Sequence, residues 1–118
     1  MTDREMLELA AKAAGIAVIN VSHVRSYLEG CGLHVGFDDD GGATRWNPLA
    51  DDGDALRLAV EVHIDFKCYD TVVRTWVGDP VAQRVIASVE EACGSDHYAA
   101  ARRAIVRAAA EIGKQQVS

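Results

Sequence analysis

Residues 46–77 read WNPLADDGDALRLAVEVHIDFKCYDTVVRTWV, and within this stretch the apolar spacing changes from that of a helix to that of strands. Asn47 and Pro48 fit the cap and the first position of a helix, and the aspartates that follow favour its N-terminal end electrostatically. We expect this helix to end near Val62. Its predicted buried stripe consists of Leu49, Leu56, Ala59 and Val60.

The second half of the stretch alternates apolar and polar residues in two runs, which is the period of half-buried strands. The apolar phase consists of Ile64, Phe66 and Cys68 in the first run and of Val73, Thr75 and Val77 in the second. Tyr69-Asp70-Thr71 joins the two runs as a predicted hairpin. Trp76 and Arg74 then lie together on the polar face of the second strand.

Towards the N-terminus, a helix is predicted from Thr2 to Ala14, with a capping box at its start and Gly15 as its left-handed stop. Residues 16–27 are rich in Val and Ile without helical spacing and predict a strand. A glycine-rich turn leads to a second strand over residues 33–37. We expect these strands to precede the helix of residues 46–62.

Towards the C-terminus, a loop at residues 78–80 precedes a predicted strand over 84–89, although residues 81–93 also fit one short helix. A last helix is predicted from Asp96 to Ile112, stopping at Gly113, and residues 113–118 predict a frayed tail. The apolar face of this helix consists of Ala101, Ile105, Ala108 and Ile112, and its opposite, solvated face carries Arg102, Arg103 and Arg107.

These segments predict a single α+β domain over residues 1–118, in the order helix, two strands, helix, three strands, helix. We expect a small antiparallel sheet of about four to five strands, packed with the three helices.

The composition limits the function classes. The chain has 118 residues, 49% of them hydrophobic, which is sufficient for one packed core. Its 18 acidic and 12 basic residues give a net charge of -6, which disfavours nucleic acid as a partner because phosphate contacts need clustered Lys and Arg. The N-terminus is charged, and no segment approaches the roughly 18 apolar residues of a membrane span. We therefore expect a cytoplasmic protein without a membrane partner.

No motif indicates catalysis. The glycine patterns GxGxxG, GxxxxGK[ST] and GxSxG are absent, and the three cysteines have no metal or redox spacing, so we expect buried free thiols. His63 and Asp65 share a predicted strand face and could form an acid–base pair, but Cys68, the obvious nucleophile, points the other way. We predict no catalytic residue, no metal, no cofactor and no enzyme activity.

Two regions are predicted to bind a partner. Trp76 is the leading exposed contact residue because tryptophan offers a large apolar area with an N–H donor, whereas Trp46 is expected to pack against the second helix. The acidic run at residues 38–42 is expected to be an exposed loop. The predicted binding residues are Trp76, Arg74, Tyr69, Asp38, Asp39 and Asp40.

Three blocks of the sequence resemble a known family. TDREMLELAAKAAGI at residues 2–16, WNPLADDGDALRLAV at 46–60 and AARRAIVRAAAEIG at 100–113 resemble small proteins of tailed bacteriophages and prophages assigned to the phage ABA sandwich domain. The resemblance implies an α/β sandwich in which helices cover a small sheet, and a phage gene of an accessory kind. It implies no catalytic residue.

We therefore expect a phage or prophage accessory protein that binds a host or phage protein, for example as an inhibitor of host defence or of host machinery. The acidic surface would be steered towards a basic partner. The alternatives are a small-ligand or metal-binding module that uses His63 and Asp65, and a component of virion assembly; a homodimer is compatible with each of them.

Overall fold

The computed structural model describes residues 1–21, 24–79 and 84–116. The elements in these ranges are α1 (Asp3–Ala14), β1 (Tyr27–Leu28), β2 (Gly32–Phe37), β3 (Ala43–Trp46), α2 (Asp52–Val62), β4 (Ile64–Cys68), β5 (Val72–Asp79), β6 (Arg84–Ala92) and α3 (His97–Gln115). The fold is α+β with three helices, as predicted. The strands form two antiparallel sheets of three, β1-β2-β3 and β4-β5-β6, so the prediction of one sheet of four to five strands is wrong.

Helix α1 forms as the sequence predicts. The Thr2 hydroxyl accepts a hydrogen bond from the Glu5 backbone N–H at 3.1 Å and donates to Glu5 Oε1 at 3.1 Å. Gly15 ends the helix in the left-handed conformation, with φ of 74°. Met6, Leu7, Ala10 and Ala11 form its buried face.

Among the described residues of the predicted strand over 16–27, only Tyr27 belongs to a strand, β1, which pairs with β2, so the prediction is wrong for residues 16–21 and 24–26. Residues 22–23 lie outside the described part. Ile19 N–H donates to His34 C=O at 2.8 Å, but residues 16–20 form no ladder. Branched side chains favour extended backbone, whereas a strand also needs a neighbour that continues beside it.

Strand β3 was not predicted, and the acidic loop is the turn that joins it to β2. Asp38 Oδ1 accepts from the backbone N–H groups of Asp40 at 3.1 Å and Gly42 at 2.7 Å. The loop is exposed, as predicted, and Asp38 has a structural role in closing it.

Helix α2 begins later than predicted and buries a different side. Asn47 caps a turn by accepting from Leu49 N–H at 3.2 Å, while Asp51 is the helix cap and accepts from Asp54 N–H at 2.7 Å. Leu56 and Val60 are 58% and 67% exposed, so the predicted stripe is wrong at these two positions, whereas Ala59 is buried as predicted. The residues that α2 buries are Ala55, Leu58, Ala59 and Val62. The predicted stripe and the observed buried side both have helical spacing. The observed side contains Ala55 and Ala59, whose small side chains allow a closer approach to the neighbouring elements.

The hairpin of β4 and β5 is confirmed, with Ile64 opposite Val77 and Cys68 opposite Val73. Strand β5 continues through Gly78 and Asp79, which were predicted to be a loop, because both pair with β6. Residues 84–92 are a strand and not a helix. The predictions for residues 80–83 lie outside the described residues.

Helix α3 contacts α1, α2 and the sheet β4-β5-β6. The predicted stop at Gly113 is wrong, since the helix continues to Gln115 and Gly113 is buried. A Cβ atom at Gly113 would lie 2.1 Å from Leu9 C=O, so this glycine permits the close packing of α3 on α1. The predicted frayed tail is therefore wrong for residues 113–115, and residues 117–118 lie outside the described part.

The arginines of α3 are paired with other elements. The interpretation as a solvated face is wrong for Arg102, whose side chain is 17% exposed, whereas Arg107 is exposed as predicted. Arg102 donates to Leu49 C=O at 2.9 Å and to Asp52 at 2.7 Å. Arg103 donates to Asp3 at 3.2 Å, and Arg107 donates to Glu91. These bonds link α3 to the segment before α2, to α1 and to β6.

Two further expectations concern the cysteines and the membrane. Cys93 is buried, but Cys31 and Cys68 are exposed, so the prediction of buried thiols holds for one of the three. Among the described residues, no helix has the length and apolar character needed to cross a bilayer.

Candidate functional site

The sheet β4-β5-β6 has one face packed against α3. Val73 is completely buried and lies in one cluster with Ala100 and Ala104 of α3. The buried Thr75 hydroxyl lies 3.3 Å from both Val89 C=O and Ala104 C=O. Alternation along the strands then places the neighbouring side chains on the opposite side of the sheet.

We call this opposite side the outer sheet face, and it consists of Asp65, Lys67, Arg74, Trp76, Ser88 and Glu90. The register places Trp76 between Asp65 and Ser88, and Arg74 between Lys67 and Glu90. All six side chains are exposed except that of Trp76, which is half-buried. The face is therefore a solvent-accessible surface with an aromatic residue near its middle.

Charges of both signs surround the aromatic residues. Arg74 Nε and Glu90 Oε1 are 2.5 Å apart, and each of the two side chains is 58% exposed. The Tyr69 ring centre lies 5.7 Å from the Arg74 guanidinium carbon and 5.3 Å from Lys67 Nζ. These are cation–π contacts at an exposed site, where each is worth about 0.5–1 kcal/mol. Tyr69 thus continues the outer sheet face at the end of the β4–β5 hairpin.

A shallow groove crosses this face beside Trp76, between β5 and β6. The residues that line it are Arg74, Thr75, Trp76, Ser88, Val89 and Glu90. A half-buried tryptophan in such a groove presents apolar area together with an N–H donor, which are the features of an anchor for another molecule.

The structure brings together three of the six predicted binding residues. Trp76, Arg74 and Tyr69 share one surface, because the hairpin register places them on the same side. Asp38, Asp39 and Asp40 belong to the turn between β2 and β3, in the other sheet. Trp46 is buried in the main core, which also contains Leu58 of α2.

Three residues of the outer sheet face were not predicted as site residues, namely Lys67, Ser88 and Glu90, and Asp65 was predicted only as the partner of His63 in an acid–base pair. The alternation in β4 placed Asp65 and Lys67 on its polar face, so this signal was present. Their position next to Trp76 and Arg74 depends on pairing across strands, which alternation within one strand does not reveal.

The proposed acid–base pair of His63 and Asp65 does not share a strand face. His63 is the left-handed residue that ends α2, with φ of 61°, and the strand begins at Ile64. Within residues 1–21, 24–79 and 84–116, no group of three His, Cys, Asp or Glu side chains is arranged to hold a metal ion.

Tyr27 lies in the other sheet, and burial raises its pKa above the ordinary value of 10.0. The negative charges of Asp3 and Glu29 act in the same direction, and Arg4 opposes them. The phenol is therefore kept neutral, which does not suit a base or a nucleophile.

His34 is completely buried in β2. Its two ring nitrogens have no hydrogen-bond partner among the described residues, and the ring packs edge-on against Phe37 with centroids 4.8 Å apart. The imidazole contacts an aromatic ring and lines none of the described grooves, so it gives no support to a ligand site.

A second concave region lies between α1, α3 and β6. Its apolar floor contains Met6, Val89 and Ala110, and its rim contains Arg103 and Arg107. Both arginines interact with Glu91, at 3.9 Å from Arg103 and at closer range from Arg107. Their charge is already balanced within the protein, so the region is not favourable for an anion.

Comparison of the chain with protein-family models, with curated proteins and with solved structures gave no match. The resemblance to phage ABA sandwich proteins stays a prediction. The functional interpretation therefore depends on the geometry of the outer sheet face.

Proposed function

We propose that this protein acts by binding another protein, and that the outer sheet face is its contact surface. The observation that carries this proposal is a half-buried Trp76 on a sheet face that α3 leaves uncovered. Aromatic residues and arginine are enriched where protein interfaces gain most of their binding energy, and Trp76, Tyr69 and Arg74 lie together here.

The charges around Trp76 indicate how a partner would be recognised. Arg74, Glu90, Lys67 and Asp65 form a rim of both signs around the aromatic residues. Exposed rim charges affect orientation and association rate more than final affinity. The net charge of -6 favours approach to a basic partner surface.

The resemblance to phage and prophage proteins motivates the biological setting. We infer an accessory protein of the bacterial cytoplasm that binds a host or phage protein and thereby inhibits host defence or host machinery. The alternative of a small-ligand or metal module loses its geometric basis, because His63 ends a helix whereas Asp65 lies within the strand.

The test begins with capture of the tagged full chain from phage-infected bacteria and identification of any stoichiometric partner. Calorimetry with the purified partner then compares the wild type with Trp76→Ala and with Leu56→Ala, a control that removes exposed apolar area from α2. We expect Trp76→Ala to weaken binding by about 30-fold, which is the effect of an interface hot spot, and Leu56→Ala to leave it unchanged.

The dependence of the association rate on ionic strength is a second test. The association rate should fall as ionic strength rises, because the rim charges are exposed and therefore screened. Full affinity of Trp76→Ala, or the absence of any stoichiometric partner, would contradict the proposed function.

A further inference from the structure

Strand β4 forms one edge of its sheet, because within the described ranges it pairs with β5 and with no other strand. The hydrogen-bonding phase of the hairpin shows which backbone groups face outward. Tyr69 N–H donates to Val72 C=O at 2.8 Å, so Tyr69 and Val72 are a hydrogen-bonded pair at the hairpin end. Bonded and non-bonded pairs alternate along an antiparallel ladder.

The alternation continues back along β4 from Tyr69. The backbone groups of Lys67 and Asp65 therefore point towards β5. Ile64, Phe66 and Cys68 direct theirs away from the sheet, and these groups form no hydrogen bond with any described residue outside the ladder. An edge of this kind is a template for pairing with another strand.

We propose that two copies of this chain associate through their β4 edges, with a two-fold axis at Phe66. In this antiparallel register Phe66 lies opposite the partner's Phe66, and Ile64 lies opposite the partner's Cys68. All of these residues have outward-facing backbone groups, so each of the pairs is of the hydrogen-bonded kind. The two sheets then continue as a single sheet with matching faces.

The charges of β4 select this register over its neighbours. Centring on Phe66 places Asp65 opposite the partner's Lys67, in a non-bonded pair whose Cα atoms are about 4.5 Å apart. Moving the axis by one residue would place Asp65 opposite Asp65, or Lys67 opposite Lys67, and like charges in facing positions are unfavourable.

The side chains of β4 are available for this contact. Within the described part of the protomer, Asp65 and Lys67 take part in no ion pair. Phe66 is 41% exposed although it lies on the side of the sheet that packs against α3. Pairing covers this ring with its symmetry mate, which adds an aromatic contact to the backbone bonds.

The dimer goes beyond the proposed function and does not depend on it. It places two outer sheet faces side by side on one sheet, so that a partner with two binding sites would bind with higher avidity. Trp76 lies on β5 and takes no part in the pairing.

The experiment is sedimentation velocity of the full chain in reducing buffer, from about 10 µM to about 500 µM, the range in which a small interface dissociates. The reductant prevents disulfide formation by the exposed Cys31 and Cys68. We expect the mass of the wild type to rise with concentration from 12.7 kDa towards twice that value.

Charge exchange tests the register. Each single variant, Asp65→Lys or Lys67→Asp, places like charges at residues 65 and 67 in both facing pairs of the dimer. Each should therefore raise the dimer Kd about tenfold. An equimolar mixture of the two variants should recover dimers, because every facing pair then has opposite charges. The double variant Asp65→Lys/Lys67→Asp should also dimerise like the wild type.

Glu90→Lys is the control for Asp65→Lys. It also replaces a negative by a positive charge on the outer sheet face, but on β6 and not on β4. It should leave the dimer Kd unchanged. Circular dichroism verifies folding, and the double variant still tests the register if a single variant does not fold. A wild-type mass of 12.7 kDa at every concentration, unchanged affinity in both single variants, or equal weakening by Glu90→Lys would overturn the proposal.

Discussion

The two sheets differ in how their strands are held together. Strands β1, β2 and β3 contain 2, 6 and 4 residues, whereas β4, β5 and β6 contain 5, 8 and 9. The first sheet has close backbone contacts around Gly32, and it buries an imidazole that has no hydrogen-bond partner in the described part of the chain. The second depends on alternating side chains, one set of which packs against α3. Regular alternation is therefore what leaves the second sheet a free outer face.

The largest effect is expected where the first sheet has no room for a side chain. A Cβ atom at Gly32 would lie 2.2 Å from Trp46 C=O, and its φ of 94° disfavours any other residue. We expect Gly32→Ala to lower the free energy of unfolding by about 3 kcal/mol or more, measured by urea denaturation. Gly36→Ala on the same strand is the control, since its nearest contact is 3.8 Å away. Equal losses of unfolding free energy in Gly32→Ala and Gly36→Ala would contradict the close contact between Gly32 and Trp46.

A smaller effect of opposite sign is expected at His34. Its ring is buried without a hydrogen-bond partner among the described residues, which is unfavourable for a polar group. His34→Leu should therefore raise the free energy of unfolding by about 1–3 kcal/mol. His97→Leu is the comparison at an exposed histidine, where the loss of the 3.0 Å hydrogen bond to Asp70 C=O should lower the free energy of unfolding by about 1 kcal/mol or less. A marked loss of stability in His34→Leu would show that the imidazole is hydrogen-bonded in solution.

The smallest effect is expected in the second sheet, at its buried polar residue. The Thr75 hydroxyl lies 3.3 Å from two carbonyl oxygens, so Thr75→Val removes a satisfied hydrogen bond. We expect a loss of about 1 kcal/mol in the free energy of unfolding. Thr44→Val, at an exposed position of β3, should be nearly neutral. A gain in stability for Thr75→Val would contradict the hydrogen bond of the Thr75 hydroxyl. Thr75 would then not differ from His34, the other buried polar residue in the described ranges.

Local signals in the sequence predicted the elements with self-contained patterns. The capping residues of α1, the cap of α3 at Asp96 and the β4–β5 hairpin were all predicted, because caps and alternation involve residues close in the chain. The same alternation placed Trp76 and Arg74 on one face. It did not show that Lys67 and Glu90 flank Arg74, since this depends on the register of three strands.

The errors of prediction have a common physical cause. Two helical stripes that share Ala59 were available on α2, and contacts with other elements selected Ala55 and Leu58 over Leu56 and Val60. Gly113 has the residue type of a helix stop, yet here it allows α1 to approach closely. In both cases the residue pattern permits two structures, and packing between distant segments selects one of them.

The sequence by itself determined the α+β class, the hairpin and the polar face that carries Trp76, because these follow from patterns within about ten residues of chain. Only the tertiary structure decided that the strands divide into two sheets, that α3 covers one side of the second sheet and that none of the described strands pairs with the outer edge of β4. These features depend on which surfaces bury the most apolar area against each other, and that comparison involves the whole folded chain.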